Sequence, residues 1–245
     1  MGSRFVSAVA LYGPKPAPVR EFLADVQALV AKHIGGCFRP YSLDQVHSTL
    51  IRLTGVPDPA TGRVVNQAYL EHQGIALEMD LGLAMRILCD RLARPIRVRI
   101  GGYRAGGEVP FLSQGRHLSE RGFSAQDSAF VLVGWPVAAL AGHGRPLDEL
   151  RREMAAANVL HHYYRDEGDV DDDFHLVLGH HSGAAPAAVA AAVAAVRGRL
   201  AAGPIDLDIG IADARIVASD SPTLAPARFA GRLPVDVPAL RQLIS

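Results

Sequence analysis

Cysteine is scarce in this chain, with only Cys37 and Cys89 in 245 residues. That excludes a disulfide framework, and the two lack the spacing of a metal site. Lysine is equally rare: Lys15 and Lys32 stand alone, and the rest of the 25 basic residues are arginine, a composition that reads as codon bias beside so much Ala and Gly. Net charge is zero, so no overall field recruits nucleic acid or an anionic membrane. No apolar run approaches the ~20 residues of a membrane span, and no charged-then-apolar leader opens the chain. Together these absences predict a cytoplasmic protein with no membrane partner. The alanine-rich stretch 184–202 carries Pro186, Arg197 and Arg199 and predicts a soluble helix.

What is present suits an ordinary globular domain, with 49% apolar and 20% charged residues and enough length for a full core. "RFVSAVALYG" (4–13) reads as a buried strand stopped at Gly13-Pro14, and 18–34 places Val19, Phe22, Leu23, Val26, Leu29 and Val30 at helical intervals. "PDPATG" (57–62) reads as a turn, 64–73 as a short helix or strand, 80–93 as an amphipathic helix and 96–103 as a strand. Residues 104–127 predict a long loop or hairpin. A strand at 128–137 and a helix at 146–163 follow, then an acidic loop, "RDEGDVDDD", read as solvated. "FHLVLGHH" (174–181) is another strand, and 205–221 alternates as two strands bent near Ala212-Asp213. Prolines at 222, 226, 234 and 238 predict a tail, 222–245, on the surface.

Two histidines stand out. In "VHSTLIRL" (46–53), strand geometry puts His47, Thr49 and Ile51 on one face. In "FHLVLGHH", His175 and Val177 share a face in the same way. The bland reading of each alone is a satisfied core histidine. Paired, in matching strands within a twice-repeated order of strand, helix and strand, they predict an active site. A metal site is the weaker candidate: His161, His162, His175, His180 and His181 lie near Asp169 and Asp171–Asp173, yet adjacent His180 and His181 point to opposite faces. "GGYRAGG" (101–107) is no dinucleotide fingerprint. The expectation is no metal and no cofactor.

"HSTL" (47–50) and "HLVL" (175–178) resemble the paired H-x-[T/S]-hydrophobic motifs of the two-histidine phosphoesterases, which include 2'-5' RNA ligase-like proteins and cyclic nucleotide phosphodiesterases. The order of elements across roughly 5–220 is similar as well. The resemblance implies an α+β domain over 1–245, with two pseudo-symmetric lobes of antiparallel-rich sheets around a central cleft. It implies metal-independent hydrolysis of a 2',3'-cyclic phosphate or a 2'-5' linkage of RNA or a small nucleotide. His47 and His175 would be the acid–base pair, since imidazole titrates near neutral pH. Thr49 would hold a phosphate oxygen. No obligatory protein partner is implied.

Val177 departs from the motif, because valine has threonine's shape without its hydroxyl. Losing one such donor commonly costs ~10² to 10³ in rate. Either another group substitutes, with Ser182, Tyr103 and the middle-loop arginines as candidates, or the chain is a nucleotide- or RNA-end-binding module without turnover. Tyr103, Arg104 and Arg116 are the expected additional phosphate contacts, and Arg97 and Arg99 are even candidates, because guanidinium forks suit phosphate oxygens.

Overall fold

The computed structural model describes residues 5–58 and 61–244. Pro59 and Ala60, inside the expected turn, lie outside the described residues. The chain opens with β1 (Phe5–Ala10), α1 (Ala17–Ile34), β2 (Phe38–Pro40) and β3 (Ser48–Arg52). A small hairpin, β4 (Gly55–Pro57) and β5 (Val64–Asn66), leads to α2 (Gln67–Gln73), α3 (Leu81–Leu92) and β6 (Ile96–Ile100). Then come α4 (Leu118–Arg121), β7 (Phe123–Gln126), β8 (Ala129–Pro136), α5 (Val137–Leu140), α6 (Pro146–Glu153) and β9 (Phe174–His181). The chain closes with α7 (Pro186–Ala202), β10 (Ile205–Ile209), β11 (Ala214–Ser219), β12 (Ala227–Arg232) and α8 (Val237–Ile244).

The fold is α+β in two antiparallel lobes. One sheet runs β12-β11-β1-β3, and the other runs β10-β6-β8-β9-β2 with β7 paired to β8. Each lobe borrows from the other half of the chain: β11 pairs with β1, and β2 pairs with β9. The two motif strands, β3 and β9, lie against each other where the lobes meet. α1 buries Val19, Phe22, Leu23, Val26, Val30 and Ile34 along one stripe and stops at Gly35, whose φ of 54° suits glycine. Among the described residues, no helix is long and apolar enough to cross a membrane.

Three expectations are corrected. The helix read over 146–163 ends early: α6 stops at Glu153, one 3-10 turn follows, and Asn158 at φ 55° turns the chain away. The segment 222–245 is more than a surface tail, since β12 forms a sheet edge and α8 buries Leu240 and Ile244 in the main core. The acidic run is solvated only in its first part. Asp171, Asp172 and Asp173 are 7%, 4% and 6% exposed, because each carboxylate meets its own buried donors.

Candidate active site

Each motif strand carries a one-residue bulge at the same offset from its histidine. β3 pairs Ile51 with Ala8 and Thr49 with Val9, leaving Leu50 as the extra residue. β9 pairs Gly179 with Phe130 and Val177 with Val131, leaving Leu178 extra. A bulge reverses the facing of every residue beyond it. The expected grouping of His47 and Thr49 with Ile51 is therefore wrong beyond the bulge: Ile51 is fully buried in the core, and Arg52 takes the cavity face. In β9 the same shift brings His180 to the face of His175 and Val177. Gly179 permits this bend, because its φ is 150° and a Cβ there would sit 2.4 Å from the Arg39 carbonyl oxygen of β2.

The two triplets, His47-Thr49-Arg52 and His175-Val177-His180, line one cavity of about 250 Å3. His47 sits one residue before β3, rather than inside it, on the turn after Ser42. Its Nδ1 lies 2.6 Å from the Gln45 carbonyl, which can only accept, so Nδ1 carries the proton and Nε2 is left bare. Burial lowers the His47 pKa from 6.5, the Gln45 bond opposes this, and the charge of Lys15 lowers it further. Lys15 is itself pushed down to about 8, chiefly by burial. His175 is lowered by burial too, with the carboxylate of Asp173 pulling the other way. Its Nε2 is buried and has no hydrogen-bond partner among the described residues. His180 is held on both nitrogens, by the Tyr41 hydroxyl at 2.7 Å and the Ser128 hydroxyl at 3.3 Å.

Behind the histidines lies a charged network that the acidic-loop reading missed. Arg151 donates to Leu50 O at 3.1 Å, Thr49 O at 3.3 Å, Asp171 O at 2.8 Å and Asp173 O at 3.1 Å. One guanidinium thus ties the bulge of the first motif to the residues leading into the second. The Asp171 carboxylate meets Arg151 at 3.3 Å and His161 Nε2 at 2.7 Å, and these partners hold its pKa well below the usual carboxylate range against its burial. Burial, then Arg151, pushes His161 down to about 4. Asp173 accepts from Arg121, Trp135 Nε1 and Ser113 Oγ at 2.5, 2.6 and 2.7 Å. Asp172 accepts from the backbone of Leu147 and Asp148 at the start of α6, and burial raises its pKa to about 6. One sequence signal could have found this network: "DDD" abuts a strand whose first residue is a phenylalanine, so little room remains for solvated side chains.

The structure brings His47, Thr49 and His175 together and leaves the other expected contacts elsewhere. Tyr103 packs edge-on against Trp135, 5.2 Å between ring centres, in a separate apolar cluster. Arg104 and Arg116 are exposed and, like Ser182, do not line the cavity. Arg97 and Arg99 form forked pairs with Asp208 and Asp206 across β6 and β10. From the middle loop, Gln114 reaches the cavity instead. Among the described residues the Arg52 side chain has no hydrogen-bond or ion-pair partner, so the cavity holds a free guanidinium. The metal cluster weighed from the sequence is not assembled. Among the described residues, the group of metal-ligating side chains close enough to share an ion is Glu71, His72 and His162.

No family model matches the chain, and no curated protein matches it. Among solved structures, a crystal structure of the protein TT0787 of Thermus thermophilus is similar along 94% of this chain and 97% of its own. The identity is 15% and the TM-score 0.40, a distance at which the similarity assigns no function.

Proposed function

We propose that the chain is a metal-independent two-histidine phosphoesterase that opens a 2',3'-cyclic phosphate, or cleaves a 2'-5' linkage, in a nucleotide or an RNA end. The observation that carries this reading is that His47 and His175 enter one cavity from two strands bulged at the same offset. His47, with its bare Nε2 and the cation of Lys15 opposing protonation, is the general base that takes a proton from water. The resulting oxygen attacks phosphorus and the bond to one ribose oxygen breaks. His175, lowered by burial like His47 but with the Asp173 carboxylate working against that shift, delivers a proton to that leaving oxygen. Thr49 and Arg52 donate to the nonbridging oxygens on one side, and Tyr41 with His180 takes the place of the hydroxyl that Val177 lacks. A cavity of about 250 Å3 is smaller than the roughly 300–1,000 Å3 that encloses a drug-sized ligand, which fits a phosphate and its ribose with the base outside.

The second reading is a binding module of the same fold without turnover, and Val177 is the feature that favours it. Incubation with a 2',3'-cyclic nucleotide in EDTA separates the two. Conversion to a monophosphate supports the esterase. Saturable binding with no product supports the module. Neither binding nor product would sink both.

A further inference from the structure

A second cluster of chemistry adjoins the cavity, sharing His162 with its lining, and plays no part in the proposed reaction. We propose that Glu71, His72 and His162 form a binding site for a divalent transition-metal ion, with zinc the best match and water completing the coordination. One ligand atom from each residue lies within 4.8 Å of the others. Tetrahedral zinc with bonds of about 2.0–2.1 Å sets neighbouring ligand atoms about 3.4 Å apart, so closing the site takes a small side-chain rotation. Glu71 is exposed and the two imidazoles are half-buried, which leaves that rotation free.

Two independent features prepare the site. His72 Nε2 lies 3.2 Å from the His162 carbonyl oxygen, which can only accept, so Nε2 carries the proton and Nδ1 is bare. A carbonyl fixing the tautomer of a ligating histidine is the usual outer support of a metal site. Gln67 likewise holds Glu71 Oε1 at 2.5 Å and leaves Oε2 free of that bond. The second feature is packing. Glu71 and His72 lie in the last turn of α2, and His162 lies in the turn far along the chain that follows α6. An apolar cluster of its own, Ala68 and Tyr69 with Leu160 and Tyr164, locks these two segments together. Asn66 reinforces the joint by accepting from Leu160 N at 3.3 Å. The three ligands therefore meet by construction of the fold.

Arg52 and Arg165 act on His162 as like charges and oppose a cation, whereas Glu71 offsets them. Binding is accordingly weaker than in a closed structural zinc site. Residue types also choose the ion: two imidazoles and one carboxylate suit zinc, cobalt or nickel better than calcium or magnesium, which prefer oxygen alone.

The test is titration of the full chain, stripped by chelator and desalted, with cobalt(II) followed by visible absorption, then displacement by zinc. One equivalent should bind with the intensity of a four- or five-coordinate ion. Glu71→Gln, His72→Ala and His162→Ala should each weaken binding more than about tenfold, whereas His33→Ala and His143→Ala should not. No cobalt spectrum, or unchanged affinity in all three ligand variants, overturns the site. Far-UV circular dichroism checks folding, and Glu71→Gln, a change on an exposed side chain, decides the matter if a histidine variant misfolds. Because the readout is the metal spectrum, a chain with no phosphoesterase activity still binds cobalt here, and an active chain that fails this test loses only the metal site.

Discussion

Three residues after His47 the backbone of β3 swells at Leu50, and three residues after His175 that of β9 swells at Leu178, yet unlike side chains hold the two bulges. The Leu178 carbonyl accepts from Tyr41 N and from the side-chain amide of Gln27 on α1, each at 2.9 Å, and the same Gln27 amide donates to Tyr41 O at 2.8 Å. The Leu50 carbonyl accepts from Arg151 on α6 at 3.1 Å. Each clamp crosses to the other half: α1 follows β1, the partner of β3, yet holds β9, and α6 follows β8 and α5, after the partner of β9, yet holds β3. The two halves thus solve one geometric problem with a neutral clamp and a charged one. A bulge frees carbonyls from the ladder, and buried carbonyls need donors. The charged clamp does more, because a guanidinium can bond four carbonyls and a carboxylate at once. The cavity faces differ in the same sense: Thr49 and Arg52 are donors on one side, whereas the other has apolar Val177 beside His180.

Erasing the comparison altogether should have the largest effect. His47→Ala and His175→Ala should each lower turnover of a 2',3'-cyclic nucleotide by about 10² to 10⁴, the range for a lost acid or base. Chromatographic product assays measure it, and a variant that keeps wild-type turnover removes that histidine from the reaction. Making the first strand a copy of the second comes next. Thr49→Val should cost about 10² to 10³ in kcat, with little change in the unfolding midpoint, because the shape is kept and one donor is lost.

The clamps differ in stability. Arg151→Met leaves the buried Asp171 carboxylate without its cation and should destabilise the fold by about 3–5 kcal/mol in urea unfolding. Gln27→Met removes a neutral donor and should cost about 1–2 kcal/mol. Equal losses would erase the distinction drawn between them. A pH series probes the charged clamp from another side. The folded-state pKa of His161 lies near 4, below its ordinary 6.5, so its contribution is fully present above pH 6.5 and is lost as pH falls towards 4. That loss amounts to about 3 kcal/mol. Asp172, raised to about 6, titrates in the same window with opposite sign, its contribution being lost as pH rises. The difference between wild type and His161→Gln isolates the histidine, and the gap in stability between them should narrow on acidification. The smallest effect is expected from Val177→Thr. The residue lines the cavity and Tyr41 with His180 already fills the place of its missing hydroxyl, so the change should alter stability by less than about 1 kcal/mol and leave kcat nearly unchanged. A clear rise in kcat would show that the place is not filled. A loss of about 1–3 kcal/mol would mean that the hydroxyl is buried without a partner.

The sequence by itself determined the α+β order, the helical stripe of α1 and the pairing of two histidine strands, because these rest on periodicity and on residue type, which neighbours in the chain supply. It also pointed to His47, Thr49 and His175 as companions. What it could not supply is which face each strand shows after the bulge. Alternation along "HSTLIR" assigns Ile51 to the cavity, and one extra residue at Leu50, imposed by pairing with β1, gives that place to Arg52 instead. His180 joins the site for the same reason. Tyr103 and Arg104 looked suited to a phosphate by type alone, and only the packing of Tyr103 against Trp135 and the exposure of Arg104 took them away. The burial of Asp171, Asp172 and Asp173 was settled by Arg151, Arg121 and the start of α6, partners distant in the chain whose charges and donors make a buried carboxylate tolerable. Local pattern fixes what a segment is, whereas the partners that satisfy a buried carbonyl or charge are chosen only when the chain has closed on itself.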